Sequence, residues 1–174
     1  MLTFIYALPL PFVLFVILTA TVIWPIAGSG RKRIPINIAL SAVSLVVIAY
    51  ITLFCRTEGS ANIVLTPFQF IHTAKEQPEA YRSALMNVFL FFPLGLTLSN
   101  ALPRKWHRWV RIALTPLIGC ILSAGIEYTQ YRYALGMAEV DDVICNTLGA
   151  FIGSTSLLIA HAIEKSRERV RHTN

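Results

Sequence analysis

Long stretches without charged residues divide this chain into segments of membrane-spanning length. Asp, Glu, Lys and Arg are all absent from four intervals, residues 1–30, 34–55, 83–103 and 143–163. Each interval can hold the ~20 apolar residues that cross ~30 Å of hydrocarbon as a helix. A fifth apolar stretch, from about Val110 to Tyr131, contains the acidic Glu127, and its Ile and Leu content still favours insertion. Because backbone polar groups must be paired inside lipid, the pattern predicts five helices.

Composition agrees with this pattern. Hydrophobic residues make up 55% of the chain and charged residues only 14%, and the mean hydropathy is +0.61. These values are typical of a multi-pass membrane protein and exclude an ordinary soluble domain. The predicted fold is therefore all-α, a bundle of five transmembrane helices. The net charge of +6 is explained by membrane topology and does not indicate a nucleic-acid partner.

Basic residues predict the orientation of the bundle. The turns "SGRKRIP" and "PRKWHRWVR" and the tail "EKSRERVRHTN" hold three, four and four of the fifteen Lys and Arg residues. Since cytoplasmic loops carry the excess of positive charge, the N-terminus is predicted outside and the C-terminus inside. We divide the chain into an uncleaved accessory first helix with its basic turn (1–33), a membrane domain (34–162) and a basic cytoplasmic tail (163–174). Contact with the lipid bilayer suffices to explain that tail.

Polar residues in the third, fourth and fifth predicted spans fall near the outer end of the bundle in this orientation. Helical spacing aligns them with small residues in three stripes: Asn87, Phe91 and Gly95; Gly119, Ser123, Glu127 and Gln130; and Asp142, Asn146, Gly149 and Gly153. An acid or amide facing lipid is costly, so the stripes are predicted to face each other. The sequence therefore predicts an outward-facing polar pocket between three helices.

We assign two sets of residues to this region. The candidates for ligand binding are Arg82, Asn87, Glu127, Gln130, Arg132, Asp141, Asp142 and Asn146, and the candidates for helix packing are Pro93, Gly95, Gly149 and Gly153. Structural alternatives stay open: capping of the fifth helix by Asp141 or Asp142, hydrogen bonding between helices by the two Asn side chains, and ion pairing of Glu127 with an Arg. The preceding external segment "NIVLTPFQFI" fits either a lid over the pocket or an interfacial anchor.

Metal and cofactor sites are not predicted. The three cysteines, Cys55, Cys120 and Cys145, lie in apolar runs without Cys-x-x-Cys or Cys-His spacing, and the four histidines are scattered along the chain. We expect the cysteines to be small buried residues.

Four stretches in this order, "ANIVLTPF", "NVFLFFPLG", "SAGIEYTQ" and "VDDVICNTLGAFIG", resemble the VanZ-like family of bacterial membrane proteins. The resemblance covers about Ile34 to Ala160. The motif residues carried over by position are Asn87, Phe91, Pro93, Leu94, Gly95, Glu127, Gln130, Asp142, Asn146, Thr147, Leu148 and Gly149. One departure is that members often carry an Arg just before the Asp pair, where this chain has "ALGMAEVDD"; its nearest cation is Arg132.

The resemblance implies a multi-pass protein of the bacterial plasma membrane that acts at the cell envelope, where the family's namesake is linked to teicoplanin resistance. We expect the polar pocket to bind an envelope lipid, a glycopeptide-related ligand or a membrane partner, with Arg and amide donors suiting phosphate or carboxylate groups. One alternative is a membrane-embedded enzyme acting on a lipid-linked substrate, with Glu127 and Asp142 as candidate catalytic acids or ligands of a divalent cation, although no nucleophile is evident. A structural or assembly subunit is the other alternative.

Overall fold

The computed structural model describes residues 15–21, 23–24, 33–55, 62–73 and 79–173. Most of them are helical, including 15–21 and 23–24. The later elements are α1 (Ile34–Ala49), extended by the π-helical turn Tyr50–Phe54, then β1 (Ile63–Val64), α2 (Gln69–Thr73), α3 (Glu79–Ala101), α4 (Arg108–Arg132), β2 (Ala138–Glu139), α5 (Val140–Ser154) and α6 (Ser156–Thr173).

Four helices of the described part are long and apolar enough to cross a membrane. They are Ile34–Phe54, α3, α4 and Val140–Ala162, which joins α5 to the start of α6. They coincide with the second to fifth predicted spans. Many apolar side chains on them face outward, such as Phe54 at 78% exposure and Val46 at 68%, as expected of surfaces that lie in lipid. This is a membrane protein.

The predicted first span lies largely outside the described residues, since the structure describes only its residues 15–21 and 23–24. The count of five helices and the N-out, C-in orientation therefore stay predictions.

Helices α3 and α5 form the closest helix pair, and glycines on both make this possible. A Cβ atom on Gly95 would collide with the backbone carbonyl of Ala150, and one on Gly149 would collide with the carbonyl of Val88. A Cβ atom on Gly153 would collide in the same way with the carbonyl of Phe92. Backbone approach of this kind is what small residues provide in membrane helices, where no hydrophobic effect draws apolar surfaces together.

Two further helices pack against this pair. Gly119 of α4 lies against α5, since an added Cβ would be 2.9 Å from the Cβ of Ala150. Helix α1 joins α3 through a buried polar contact, with Ser41 Oγ 3.0 Å from Thr97 Oγ1. The result is a bundle in which α3 and α5 are the most buried of the four spans.

Two short connecting segments form a pair of strands outside the helices, which an all-helical prediction omits. Strand β1 pairs in parallel with β2, with Ile63 opposite Ala138 and Val64 opposite Glu139. The Ala138 N–H also donates to the Asn62 carbonyl at 2.9 Å. The segment before α3 is thus tied to the connection between α4 and α5. We call residues 62–73, which comprise β1, α2 and the turn between them, the strap.

Candidate ligand pocket

A cavity of about 340 Å³ lies beneath the strap, at the beginning of α3 and α5. Its walls come from three parts of the chain: the strap, the first turns of α3, and the connection from β2 into α5. The lining residues are Val64, Gln69, Phe70, Thr73, Ala80, Ser83, Ala84, Met137, Glu139, Asp141, Asp142 and Cys145. Both acids of the Asp pair thus reach one cavity, while apolar side chains and small helical residues form much of the remaining wall.

Asp141 joins the strap to α5. Its carboxylate accepts two backbone hydrogen bonds, from Phe68 N–H to Oδ1 at 2.5 Å and from Phe70 N–H to Oδ2 at 3.0 Å. The side chain is only 6% exposed. Glu139 is the N-cap of α5 and makes no side-chain cap there. Asp141 therefore caps the short helix α2 across the chain, in contrast to the alternative in which it caps its own helix.

Asp142 joins α5 to α3. Its Oδ1 accepts a hydrogen bond of 2.6 Å from Nδ2 of Asn87. Both residues are half-buried. The sequence places them on two different stripes, and the structure brings those stripes together at the cavity wall.

Glu127 points inward. It is 7% exposed, and its Oε2 accepts the Glu139 N–H at 3.0 Å. It therefore anchors β2 at the end of α4, but it is not among the residues that line the described cavity. Gln130, one turn further along α4, is fully buried and donates from Nε2 to the carbonyl of Thr52 at 2.9 Å. Since Thr52 lies in the π-helical turn that extends α1, Gln130 connects α4 to that helix.

Asn146 lies one turn below Asp142 and connects α5 to α4. It donates from Nδ2 to Ser123 Oγ at 2.9 Å, and both residues are buried. The Oδ1 atom of Asn146 and the Oε1 atom of Gln130 are buried without a hydrogen-bond partner in the described part of the chain. The polar stripes thus meet in pairs, and each pair joins two different elements.

The two candidate arginines are placed differently from the acids. Arg82 is half-buried in the first turns of α3. Arg132 is exposed at the end of α4, where its guanidinium carbon lies 6.0 Å from the ring centroid of Tyr133. Neither belongs to the described lining, which carries three carboxylates and no Lys, Arg or His. The cavity wall is acidic, whereas the sequence led us to expect cationic groups there.

The four candidate packing residues lie in two different environments. Gly95, Gly149 and Gly153 lie at the α3–α5 contact, whereas Pro93 is exposed on α3. The cysteines carry no disulfide among the described residues. Cys145 is buried in the cavity wall, as expected, whereas Cys55 and Cys120 are only half-buried, so the expectation is wrong for those two. No group of three or more His, Cys, Asp and Glu side chains in the described ranges is arranged to hold a metal ion.

Sequence reasoning missed two residues that the structure places in key contacts. Glu139 lines the cavity and supplies the N–H that Glu127 binds, but it lies on no helical stripe. Arg111 is counted in the sequence with the basic turn "PRKWHRWVR", but in the structure it is a buried residue of α4. It is 8% exposed and donates from Nε and Nη2 to the Ser99 carbonyl at 3.1 and 2.6 Å. Its position one turn into α4, facing the last turn of α3, was a usable signal because the carbonyls that end a helix need donors.

Comparison with known proteins identifies the family. A sequence model of the VanZ/LLP1 family matches residues 39–161, which run from within α1 to the first turns of α6. The chain belongs to the VanZ/LLP1 family. The matched region is close to the extent of the resemblance described above, so that family prediction is confirmed.

A curated member of the VanZ/LLP1 family also matches. This chain is 31% identical over 94 residues to Protein VanZ of Enterococcus faecium, a match that covers 52% of this chain and 54% of that protein. The match thus spans about half the length of the curated relative. No solved structure matches.

Proposed function

We propose that this protein acts in glycopeptide resistance of the teicoplanin type at the bacterial cell envelope, by binding a ligand in the cavity beneath the strap. Membership of the VanZ/LLP1 family and the similarity to Protein VanZ support the resistance role. The observation that carries the binding role is the cavity of about 340 Å³ whose wall contains Asp142. In this proposal the cavity opens to the outer face of the plasma membrane.

The composition of the wall favours a particular kind of ligand group. Glu139, Asp141 and Asp142 contribute carboxylate oxygens, which accept hydrogen bonds, and Phe70 and Met137 contribute apolar surface. A group that donates hydrogen bonds, such as an amine or an amide N–H, complements such a wall better than a phosphate or carboxylate does. We therefore replace the anionic ligand expected from Arg82 and Arg132 with one that presents N–H donors.

The contacts support binding over catalysis. In the enzymatic alternative, Glu127 and an Asp of the pair divide acid and base duty, which requires both to reach one substrate. Glu127 is outside the described lining and its Oε2 is engaged by the Glu139 backbone. Asp141 binds two backbone N–H groups of the strap. These contacts suit anchors that hold the external segments in place.

Expression in a teicoplanin-susceptible Gram-positive host tests the proposal. We expect the wild-type chain to raise the inhibitory concentration of teicoplanin, and Asp142→Asn and Asp142→Ala to remove that protection at unchanged membrane abundance. Glu79→Gln is the matched control, because it removes an acid from an exposed position at the start of α3.

The outcomes separate the two parts of the proposal. If the wild-type chain gives no protection while present in the membrane, the resistance role is wrong. If Asp142→Ala protects as well as the wild type at equal abundance, the cavity is not the binding site. Direct binding of teicoplanin to the purified protein in detergent, measured by calorimetry with the same variants, distinguishes ligand capture from an indirect effect on the envelope.

A further inference from the structure

The strap has two different sides. Four of its residues, Val64, Gln69, Phe70 and Thr73, line the cavity. Between them, other apolar side chains face away from the protein, including Leu65 at 75% exposure and Phe68 at 51%. The strap thus forms one wall of the cavity and, on its other side, presents apolar surface to the surroundings.

The strap is held by hydrogen bonds at two places and by the Phe70 ring, which packs edge-on against Tyr81 of α3 with ring centroids 5.9 Å apart. The parallel pairing of β1 with β2 involves two residues on each side, and the Asn62 carbonyl accepts one further bond. Pairing this short is marginal by itself. The second half of the strap, from the turn at Phe68 into α2, is attached to α5 by the two hydrogen bonds to Asp141.

The turn at Phe68 needs such an attachment. Its φ of 60° lies in the left-handed region, which a residue with a Cβ, and above all a bulky one, seldom adopts. A strained backbone persists only where surrounding contacts fix it. The N–H of Phe68 donates to Asp141 Oδ1, so the strained residue and the latch are directly bonded.

We propose that Asp141 is a positioning residue whose carboxylate latches the strap over the cavity, and that breaking its two hydrogen bonds opens the cavity. The inference rests on the proposed function, in which the cavity binds the ligand, and it assigns to Asp141 the control of access. The neighbouring Asp142 differs, since it accepts a hydrogen bond from Asn87 and so joins α5 to α3.

Cys145 provides a reporter, because it lies in the cavity wall and is only 5% exposed. With Cys55→Ser and Cys120→Ser, it is the one remaining cysteine of the sequence. The full-length protein in liposomes is treated with an uncharged maleimide carrying a short polyethylene glycol chain, and the rate of Cys145 modification is measured. Asp141→Asn replaces one acceptor oxygen by an amide donor, so one of the two N–H groups loses its partner.

We expect Asp141→Asn to raise the modification rate by roughly 10- to 100-fold, as loss of a hydrogen bond to a charged group implies. Asp142→Asn is the matched control, because it removes the same charge from the same wall but leaves the latch intact. A rate in Asp141→Asn that does not exceed the rate in Asp142→Asn would overturn the proposal.

A second reporter separates opening of the strap from unfolding of the bundle. Ser154 is fully buried in α5, and its Oγ lies 3.3 Å from the Ile112 carbonyl of α4. Ser154→Cys in a chain without the three native cysteines should stay unmodified when Asp141→Asn is added. If Ser154→Cys is modified as fast as Cys145, the effect of Asp141 is global destabilisation and the latch is refuted.

A hydrogen bond of the latch can also be removed by a substitution in the strap. Phe70→Pro removes the N–H that Asp141 Oδ2 accepts, and Pro is tolerated in the first turn of a helix such as α2. Phe70→Ala is its control, because it removes the same ring and keeps the N–H. We expect faster Cys145 modification in Phe70→Pro than in Phe70→Ala, and equal rates would count against the latch. These experiments measure access and not resistance, so their failure leaves the proposed function standing.

Discussion

Gly149 of α5 lies directly against the backbone carbonyl of Val88 in α3, with no space for a side chain between them. About two turns away along α5, Asp142 accepts the hydrogen bond from Asn87, the residue next to Val88 in α3. The close approach of the two backbones therefore sets the position of the acid in the cavity wall. Packing and pocket are parts of one structure, since a shift of α5 away from α3 would move Asp142 as well.

This contact makes Gly149→Ala a test of the helix pair. An added methyl group would overlap main-chain atoms, which cannot move aside as a flexible side chain does. We expect a loss of about 1–3 kcal/mol in stability, as for overpacking in other tightly packed cores. The measurement is the thermal unfolding midpoint of the purified protein in detergent, monitored by size-exclusion chromatography.

Gly125→Ala is the control for that prediction, because a Cβ at Gly125 on α4 meets nothing within 4 Å. It should leave stability unchanged or raise it slightly, since Ala favours helix more than Gly does. If Gly149→Ala and Gly125→Ala unfold at the same temperature, the α3–α5 contact is looser than described.

Periodicity explains how much of this arrangement is visible in the sequence. The stripes follow from 3.6 residues per turn and from the cost of polar groups in lipid, so they predict that the stripes face each other. Which residues pair, Asn87 with Asp142 and Ser123 with Asn146, is seen only in the structure. The glycines of α5 also fall on a stripe, which identifies the helix face that packs closely.

Other features depend on contacts between distant parts of the chain and have no local signal. Asp141 binds the backbone of Phe68 and Phe70, more than seventy residues away in sequence, so its carboxylate looks like a helix cap when only neighbours are considered. The two-residue strands have too few positions for an alternating pattern, and they exist only because Asn62 and Ala138 meet. The acidic wall of the cavity follows from these same contacts.

The hydrogen bond between Ser123 and Asn146 should couple α4 to α5 energetically. We expect Ser123→Ala and Asn146→Ala each to destabilise the protein, and the double variant to lose less than the sum. A coupling of about 0.6 kcal/mol, with an upper bound near 2, is the usual range for polar pairs between membrane helices. The free energies of unfolding of the wild type, the two single variants and the double variant, measured in detergent, give this coupling as a double-mutant cycle. Strict additivity would mean that the two side chains do not interact.

Arg111 should be important for stability and not for ligand binding. Its guanidinium satisfies the Ser99 carbonyl at the end of α3, so Arg111→Met leaves a buried acceptor unpaired. The expected loss is about 1.5–3 kcal/mol, the range for hydrogen bonds from charged groups. Teicoplanin protection, divided by membrane abundance, should equal that of the wild type. Lower protection per molecule would show that Arg111 also acts on the cavity.

The acidic wall predicts charge selectivity at Cys145. In the chain that keeps only this cysteine, a cationic methanethiosulfonate should react faster than an anionic one of similar size, because carboxylates raise the local concentration of cations. Asp142→Asn should bring the reaction rates of the cationic and anionic reagents closer together. High salt should have the same effect where the carboxylates are open to solvent. Equal rates for both reagents in the unmodified wall would contradict an acidic cavity.

The orientation of the bundle can be tested with two exposed positions at opposite ends of α4. Lys105 lies in the turn before this helix, and Tyr133 follows its last residue. The excess of basic residues around Lys105 predicts that this end is cytoplasmic, which places Tyr133 and the cavity outside. In intact cells expressing a chain without native cysteines, a membrane-impermeant maleimide should modify Tyr133→Cys and should modify Lys105→Cys only after the membrane is permeabilised. The opposite pattern would place the cavity at the cytoplasmic face, where an externally supplied glycopeptide does not reach it, and the binding role proposed here would then fail.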